Sequence, residues 1–342
     1  MAYTTIKKPS DYFNTVLYTG DATSDRTITN NFATEFLWLK ERNGTDNHQL
    51  WDKVRGDGKR LQSNLTNAES DTGTYIALTS NGFKVDGGTY NNSGSQYAAW
   101  QWLANGTGSS NTDGSITSTV SANTTSGFSI VSYTGTGSNA TVGHGLNSVP
   151  KIVLTKNRDT ADNWLMYNAS TGNTKALYLN ETYGTGTSSA YWNNTSPTSS
   201  VFSVGTEVPM NKSGDSIIAY CFAEVKGFSK FGSYTGNGST DGTFCFTGFK
   251  PALIIAKETN ESGDNWVMFD NKRDGFNVNN DELYPNLTNA EADGATNAYV
   301  DLLSNGFKWR STATNKNQSG STYIYMAFAE EPLVGDNPAT AR

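Results

Sequence analysis

Few residues in this chain could do acid–base or nucleophilic chemistry. Its 342 residues hold only two histidines and two cysteines, with 32 Asp and Glu against 25 Lys and Arg. General acid–base catalysis needs a carboxylate pair, or a histidine within reach of a partner. The candidates are His48, His144, Asp52, Asp270, Glu224 and Glu330. Cys221 and Cys245 are too few for a disulfide framework and have no zinc-type spacing, so they read as small apolar residues in strands. Gly184-Thr185-Gly186-Thr187 lacks the strand-to-helix setting and the lysine of a phosphate loop. No metal and no cofactor are expected.

The chain supplies its own test of these candidates, because it repeats. Residues 302–330, 78–104 and 201–224 are three versions of one closing segment, each ending in a dense apolar strand. Further upstream, Tyr18-Thr19-Gly20, Tyr133-Thr134-Gly135 and Tyr234-Thr235-Gly236 correspond. So do three strands ending in lysine, at Lys40, Lys156 and Lys257. A residue that the repeat needs should appear in every copy. Glu224 and Glu330 align, but Ala104 takes their place in copy one. Asp52 and Asp270 align with Asn168. His48 stands where the other copies have Trp164 and Trp266, and His144 has no counterpart. No catalytic residue emerges, and an enzyme is not expected.

The elements that must carry these residues are strands. Aromatics at 12% and abundant Gly, Asn, Ser and Thr point to short strands between many turns. The closing strand places Ala98, Trp100 and Trp102 on one face, matched by Tyr220 and Phe222 and by Met326 and Phe328. Its other face is small and apolar, which predicts a strand covered on both sides. The expected fold is all-β: three tandem antiparallel β-sandwich repeats of roughly 100 residues each. The boundaries fall at 1–106, 126–225 and 226–333. Residues 107–125 have the Ser/Thr/Gly composition of a flexible linker, although Ile116 and Val120 could form a short rung, and 334–342 is a tail. Copies two and three are expected to pack as a pair, with copy one more independent. A net charge of −7 argues against nucleic-acid binding. No run is apolar enough for a membrane span, so no membrane insertion is expected.

Residues 126–333 closely resemble, and 12–104 more loosely resemble, a repeat of tail-fibre and other appendage proteins of marine tailed bacteriophages. The likeness rests on DNWVMFDNKRDGFN, LYPNLTNAEA, LLSNGFKWR and GSTYIYMAFAEEP. It implies a virion structural protein, assembled in the host cytoplasm, that mediates attachment to the host surface. It also implies partners among other tail or capsid proteins and a homo-oligomer, with a trimer as first choice. A head-decoration or tail-adaptor role, and a polysaccharide-degrading fibre enzyme, are the alternatives. A host glycan or protein would be met by loop aromatics: Tyr191, Trp192 and Trp309 are the candidates. The basic loop carrying Lys53, Arg55, Lys59 and Arg60 could dock copy one onto an acidic particle surface.

Overall fold

A computed structural model describes residues 4–275, 277–292, 299–334 and 338–339. With 43% strand and 6% helix, the protein is all-β. Three large antiparallel sheets share one central strand order. An opening strand (Phe13–Thr19, Phe128–Thr134 or Ser229–Thr235) pairs with a closing strand (Gln96–Trp102, Ser216–Ala223 or Thr322–Pro332). The closing strand pairs with the lysine strand (Phe36–Glu41, Pro150–Asn157 or Phe249–Glu258), which pairs with a return strand (Gln49–Asp52, Leu165–Asn168 or Val267–Asp270). The register is the same each time: Trp102 opposes Phe36, Phe222 opposes Ile152, and Phe328 opposes Leu253. A smaller sheet covers one face of each large one. Its antiparallel pairs are Arg26–Thr29 with Gly82–Val85, Ala140–Gly143 with Val201–Val204, and Phe244–Phe246 with Gly306–Trp309.

The Tyr-Thr-Gly motif has a physical reason in each unit. Tyr18, Tyr133 and Tyr234 donate from their hydroxyls to the carbonyls of Tyr90, Met210 and Lys316, each at 2.7 Å. The glycine lets the loop before the closing strand come close. A Cβ on Gly20, Gly135 or Gly236 would lie 2.0, 2.3 or 2.2 Å from a backbone oxygen of that loop, so no other residue fits without moving backbone.

Between its two sheets each unit has a core of its own. The other face of the three large sheets forms a single fourth core. Trp38, Trp100 and Trp102 meet Leu154, Tyr220 and Phe222 there, with Ile255, Met326 and Phe328 from the third unit. Phe36 lies 4.4 Å from Tyr220, and Trp102 lies 5.4 Å from Phe328, ring centroid to centroid. This shared core is what covers the second face of each closing strand. The first unit is therefore not the independent domain that the sequence led one to expect: it contributes a third of a common interior. A cavity of ≈ 20 Å³ remains at the centre, lined only by apolar side chains, too small and too dry for a ligand.

The supposed linker is ordered structure. Within 107–125, Ser109–Asn111 and Ser118–Asn123 form strands that extend the second unit's large sheet. Ile116 and Val120 are buried in that unit's core. Composition misleads here because small β-branched residues suit a sheet margin as well as a flexible tether. Of the proposed tail 334–342, only residues 334, 338 and 339 are described.

Both cysteines are buried and free. Burial raises both thiols far above their ordinary pKa, so neither supplies a thiolate at neutral pH. Native protein is expected to leave Ellman's reagent unreacted and to release two thiols only on unfolding. Exchange of Cys221 for Ala should cost about 1–3 kcal/mol in urea unfolding without altering the fold; fast reaction of the native protein would contradict this.

Candidate functional site

The three aromatic candidates for sugar stacking are interior residues. Trp192 is 1% and Trp309 0% exposed. Trp192 ends a short helix, Ser189–Trp192, and donates from Nε1 to the Lys175 carbonyl at 2.9 Å. Tyr191 shares a hydroxyl bond with Tyr178 at 2.9 Å. Trp309 packs against Phe269, Phe307 and Tyr234. None has an open ring face, so the expectation of stacking sites is corrected.

The basic loop is corrected too, because three of its four charges are matched locally and the fourth, Arg60, is tied to neutral groups. Lys53 faces Asp57 at 3.3 Å and Lys59 faces Asp71 at 2.7 Å. Arg60 bonds Gln49, Ser70 and the Tyr90 hydroxyl. The Arg55 side chain is wholly buried.

Arg55 leads to what the sequence reading missed. The units meet along three seams arranged cyclically, first with second, second with third, and third with first. At the first of these, Tyr220 donates to Asp52 Oδ2 at 2.7 Å, and Arg55 Nε donates to the same oxygen at 2.5 Å. Arg55 also reaches Glu69 at 3.1 Å, and Glu69 is clamped from the second unit by Arg158, at 2.9 Å to each oxygen. The seam between third and first units is built alike. Trp100 Nε1 donates to Asp270 at 3.0 Å, Arg273 bonds Asp270 and Glu291, and Arg42 of the first unit grips Glu291 at 2.6 Å. Burial raises the Asp270 and Glu291 carboxyls, but the guanidinium charges and hydrogen bonds outweigh it, leaving both below their ordinary pKa.

At the seam between second and third units every member of this network changes together. Register and backbone pairing place Asn168 at the aspartate position, Thr171 and Thr259 at the two arginines, Thr185 at the glutamate, and Met326 at the donating aromatic. The backbone bond of the seam persists, from Thr185 N–H to the Thr259 carbonyl at 2.9 Å, matching Glu69 to Arg158 and Glu291 to Arg42. A cleft of ≈ 250 Å³ lined by Thr171, Thr185, Ser233, Thr259, Asn260 and Thr322 lies there. Its counterpart between third and first units, ≈ 530 Å³, is lined by Arg42, Arg273 and Glu291. The available signal was the pairing of Asp52 with Arg55 and Asp270 with Arg273, three residues apart, together with Glu69 and Glu291 in the Asn-Leu-Thr-Asn-Ala-Glu motif. Copy two lacks all of it.

Three asparagine clasps complete the seams. Asn64, Asn180 and Asn286 accept from the backbone N–H of His48, Trp164 and Trp266, and donate to Asn47, Asn163 and Asn265. The clasped indoles reach across: Trp164 to the Gln62 carbonyl at 2.8 Å and Trp266 to the Tyr178 carbonyl at 2.9 Å. His48 takes the indole's position in the first unit. Its Nδ1 accepts from Trp38 Nε1 at 2.9 Å, which assigns the proton to Nε2 on the side of the Tyr284 carbonyl. Nε2 makes no well-formed hydrogen bond there. Burial, then the Lys40 and Arg273 charges, depress its pKa well below 6.5. The unfolded chain therefore binds a proton that the folded one refuses, and stability falls as pH drops below about 6.5. His144, also buried and depressed, adds to the same window; the depressed carboxyls of Glu69, Asp270 and Glu291 act only below about 4.5. His48→Trp should reduce the loss of Tm between pH 7 and 5. An unchanged pH slope would contradict the assignment.

The remaining chemical candidates also have partners within the protein. Glu224 pairs with Lys230 at 2.7 Å and Glu330 with Lys250 at 2.8 Å. His144 accepts at Nδ1 from the Leu146 N–H, 3.2 Å away. Lys40, Lys156 and Lys257 are buried at the ends of their strands, where desolvation lowers each to a pKa of about 8, and each donates to backbone carbonyls. Among the described residues no cluster could hold a metal ion, and no helix is long and apolar enough to cross a membrane.

A family model, described as a domain of unknown function (DUF7483), matches residues 8–332. The chain belongs to that family. The match runs through all three units, so a DUF7483 domain is here the whole three-unit body with its seams, not one repeat. No curated protein and no solved structure matches the chain.

Proposed function

We propose that this DUF7483 protein is a non-enzymatic structural subunit of a tailed-phage appendage, concerned with attachment to the host surface. The resemblance of residues 126–333 supports the phage setting. The observation that carries the non-enzymatic reading is the fate of the reactive groups: Asp52 and Asp270 have wholly buried side chains, each paired with an arginine of its own unit, Arg55 or Arg273, and each accepting across a seam from Tyr220 or Trp100. They hold units together, and of the carboxylates lining the cleft between third and first units, Glu291 is gripped by Arg42 and Arg273 and Asp281 lies 3.7 Å from Arg42. In this reading the first unit is not a separate anchor, since all three units share one core. The internal cyclic arrangement also lets one chain occupy a threefold position that three fibre chains would otherwise fill. Labelled full-length protein should adsorb to host cells and compete with phage, and antibodies against it should decorate a tail appendage. Decoration of the capsid alone, without competition, would favour the head-decoration role, and release of sugars from host polysaccharide would overturn the non-enzymatic reading.

A further inference from the structure

The second unit differs from its neighbours at one margin. There its opening strand, Phe128–Thr134, and its small-sheet strand, Ala140–Gly143, are both covered by the segment 113–123. Ser118–Asn123 pairs with the opening strand, with Val120 opposite Val131. Ile116 bridges to Val142 in the other sheet, its N–H donating to the Thr141 carbonyl at 3.0 Å, and Ser118 Oγ donates to the Gly143 carbonyl at 3.0 Å. One extended segment thus closes the gap between two sheets, burying Ile116 and Val120 as its anchors.

The first and third units have the same two margin strands, and these end their sheets among the described residues. The first unit's margin is polar, with Thr27 and Thr29 exposed beside the Lys84–Asp25 ion pair. The third unit's margin is apolar. Phe244 and Phe246 flank buried Cys245 and are 43% and 56% exposed. Cys245 opposes Phe307 as Val142 opposes Phe202. Phe244 and Phe246 therefore stand where Thr141 and Gly143 receive the covering segment. An exposed apolar edge strand is a template for pairing that natural proteins otherwise suppress.

We propose that this margin of the third unit receives an extended strand from a different protein, doing between chains what residues 113–123 do within the second unit. The occupant is a Ser/Thr-rich strand with two apolar residues four positions apart, as Ile116 and Val120 are, held by backbone pairing with apolar anchors for specificity. A second copy of this chain is disfavoured, because its own covering segment is already engaged. The Phe246 position also restricts the partner. At Gly143 a Cβ would lie 1.7 Å from Asn111 Oδ1, so the place that the Asn111 side chain takes in the second unit is filled by Phe246 in the third.

The probe is a fluorescent peptide of residues 113–123, titrated into the full-length protein. Saturable binding is expected, weakened about tenfold or more by Phe246→Lys in the protein or by Ile116→Asp in the peptide, and unchanged by Thr27→Lys at the first unit's margin. Both protein positions are exposed, and circular dichroism checks that the fold is kept. Absence of binding, or binding indifferent to Phe246→Lys as exchange into the second unit would be, overturns the proposal. Self-association of the full chain that Phe246→Lys abolishes would assign the margin to a second copy, and overturns it as well.

Discussion

Residues 1–125 and 126–342, expressed separately, should each fail to form a native fold. Separation exposes the shared core on both sides: the first fragment loses the cover over Phe36, Trp38, Trp100 and Trp102, and the second uncovers Tyr220, Phe222 and Phe328. Fully burying one such side chain stabilises by about 1.5–3 kcal/mol, so a face of several exceeds the net stability of a typical domain. Separation also strips partners from buried polar groups, leaving Asp52 without Tyr220 and Asp270 without Trp100. The expected products aggregate or bind hydrophobic dye, and mixing them should restore some native near-ultraviolet dichroism. A monomeric, dye-silent fragment 126–342 with native dichroism would show that the first unit is dispensable.

The second large effect is at the seams. Arg55→Ala should destabilise by about 3–5 kcal/mol, because it leaves the buried Asp52 carboxylate without its counter-charge. The second–third seam indicates how that loss can be avoided. Replacing the whole network by the set found there, Asp52→Asn, Arg55→Thr, Glu69→Thr, Arg158→Thr and Tyr220→Met, removes charge and donor together. That fivefold variant should lie within about 2 kcal/mol of the parent in urea unfolding, far above the sum of its single changes. Additive single effects would mean that the network acts as isolated pairs.

These two expectations also mark how much the sequence disclosed. Strand positions, the recurrent tyrosine and lysine, and the double-sided burial of the closing strand were all legible, because alternation and turn residues are local signals. What covers the second face was not legible. Alternation says that Trp100 and Tyr220 are buried, but not that they are buried against another unit. The candidate sites failed for a related reason. Trp192 and Trp309 have the residue type of sugar-stacking rings, and only their long-range packing reveals an interior role. The charge of Lys53, Arg55 and Lys59 counts as a patch with Arg60 until Asp57, Glu69 and Asp71 are seen beside the first three. The repeats do place His48 at the position of Trp164 and Trp266, and the same asparagine clasp holds all three.

The central claim is that three units form one cooperative body through a common core and three seams. Scanning calorimetry of the full chain tests it most directly. The account predicts a single transition whose calorimetric and van't Hoff enthalpies agree for the whole 342-residue chain. A separate, lower transition carrying about a third of the enthalpy, the share of one unit of three by size scaling, would contradict it and restore the first unit as an independent domain.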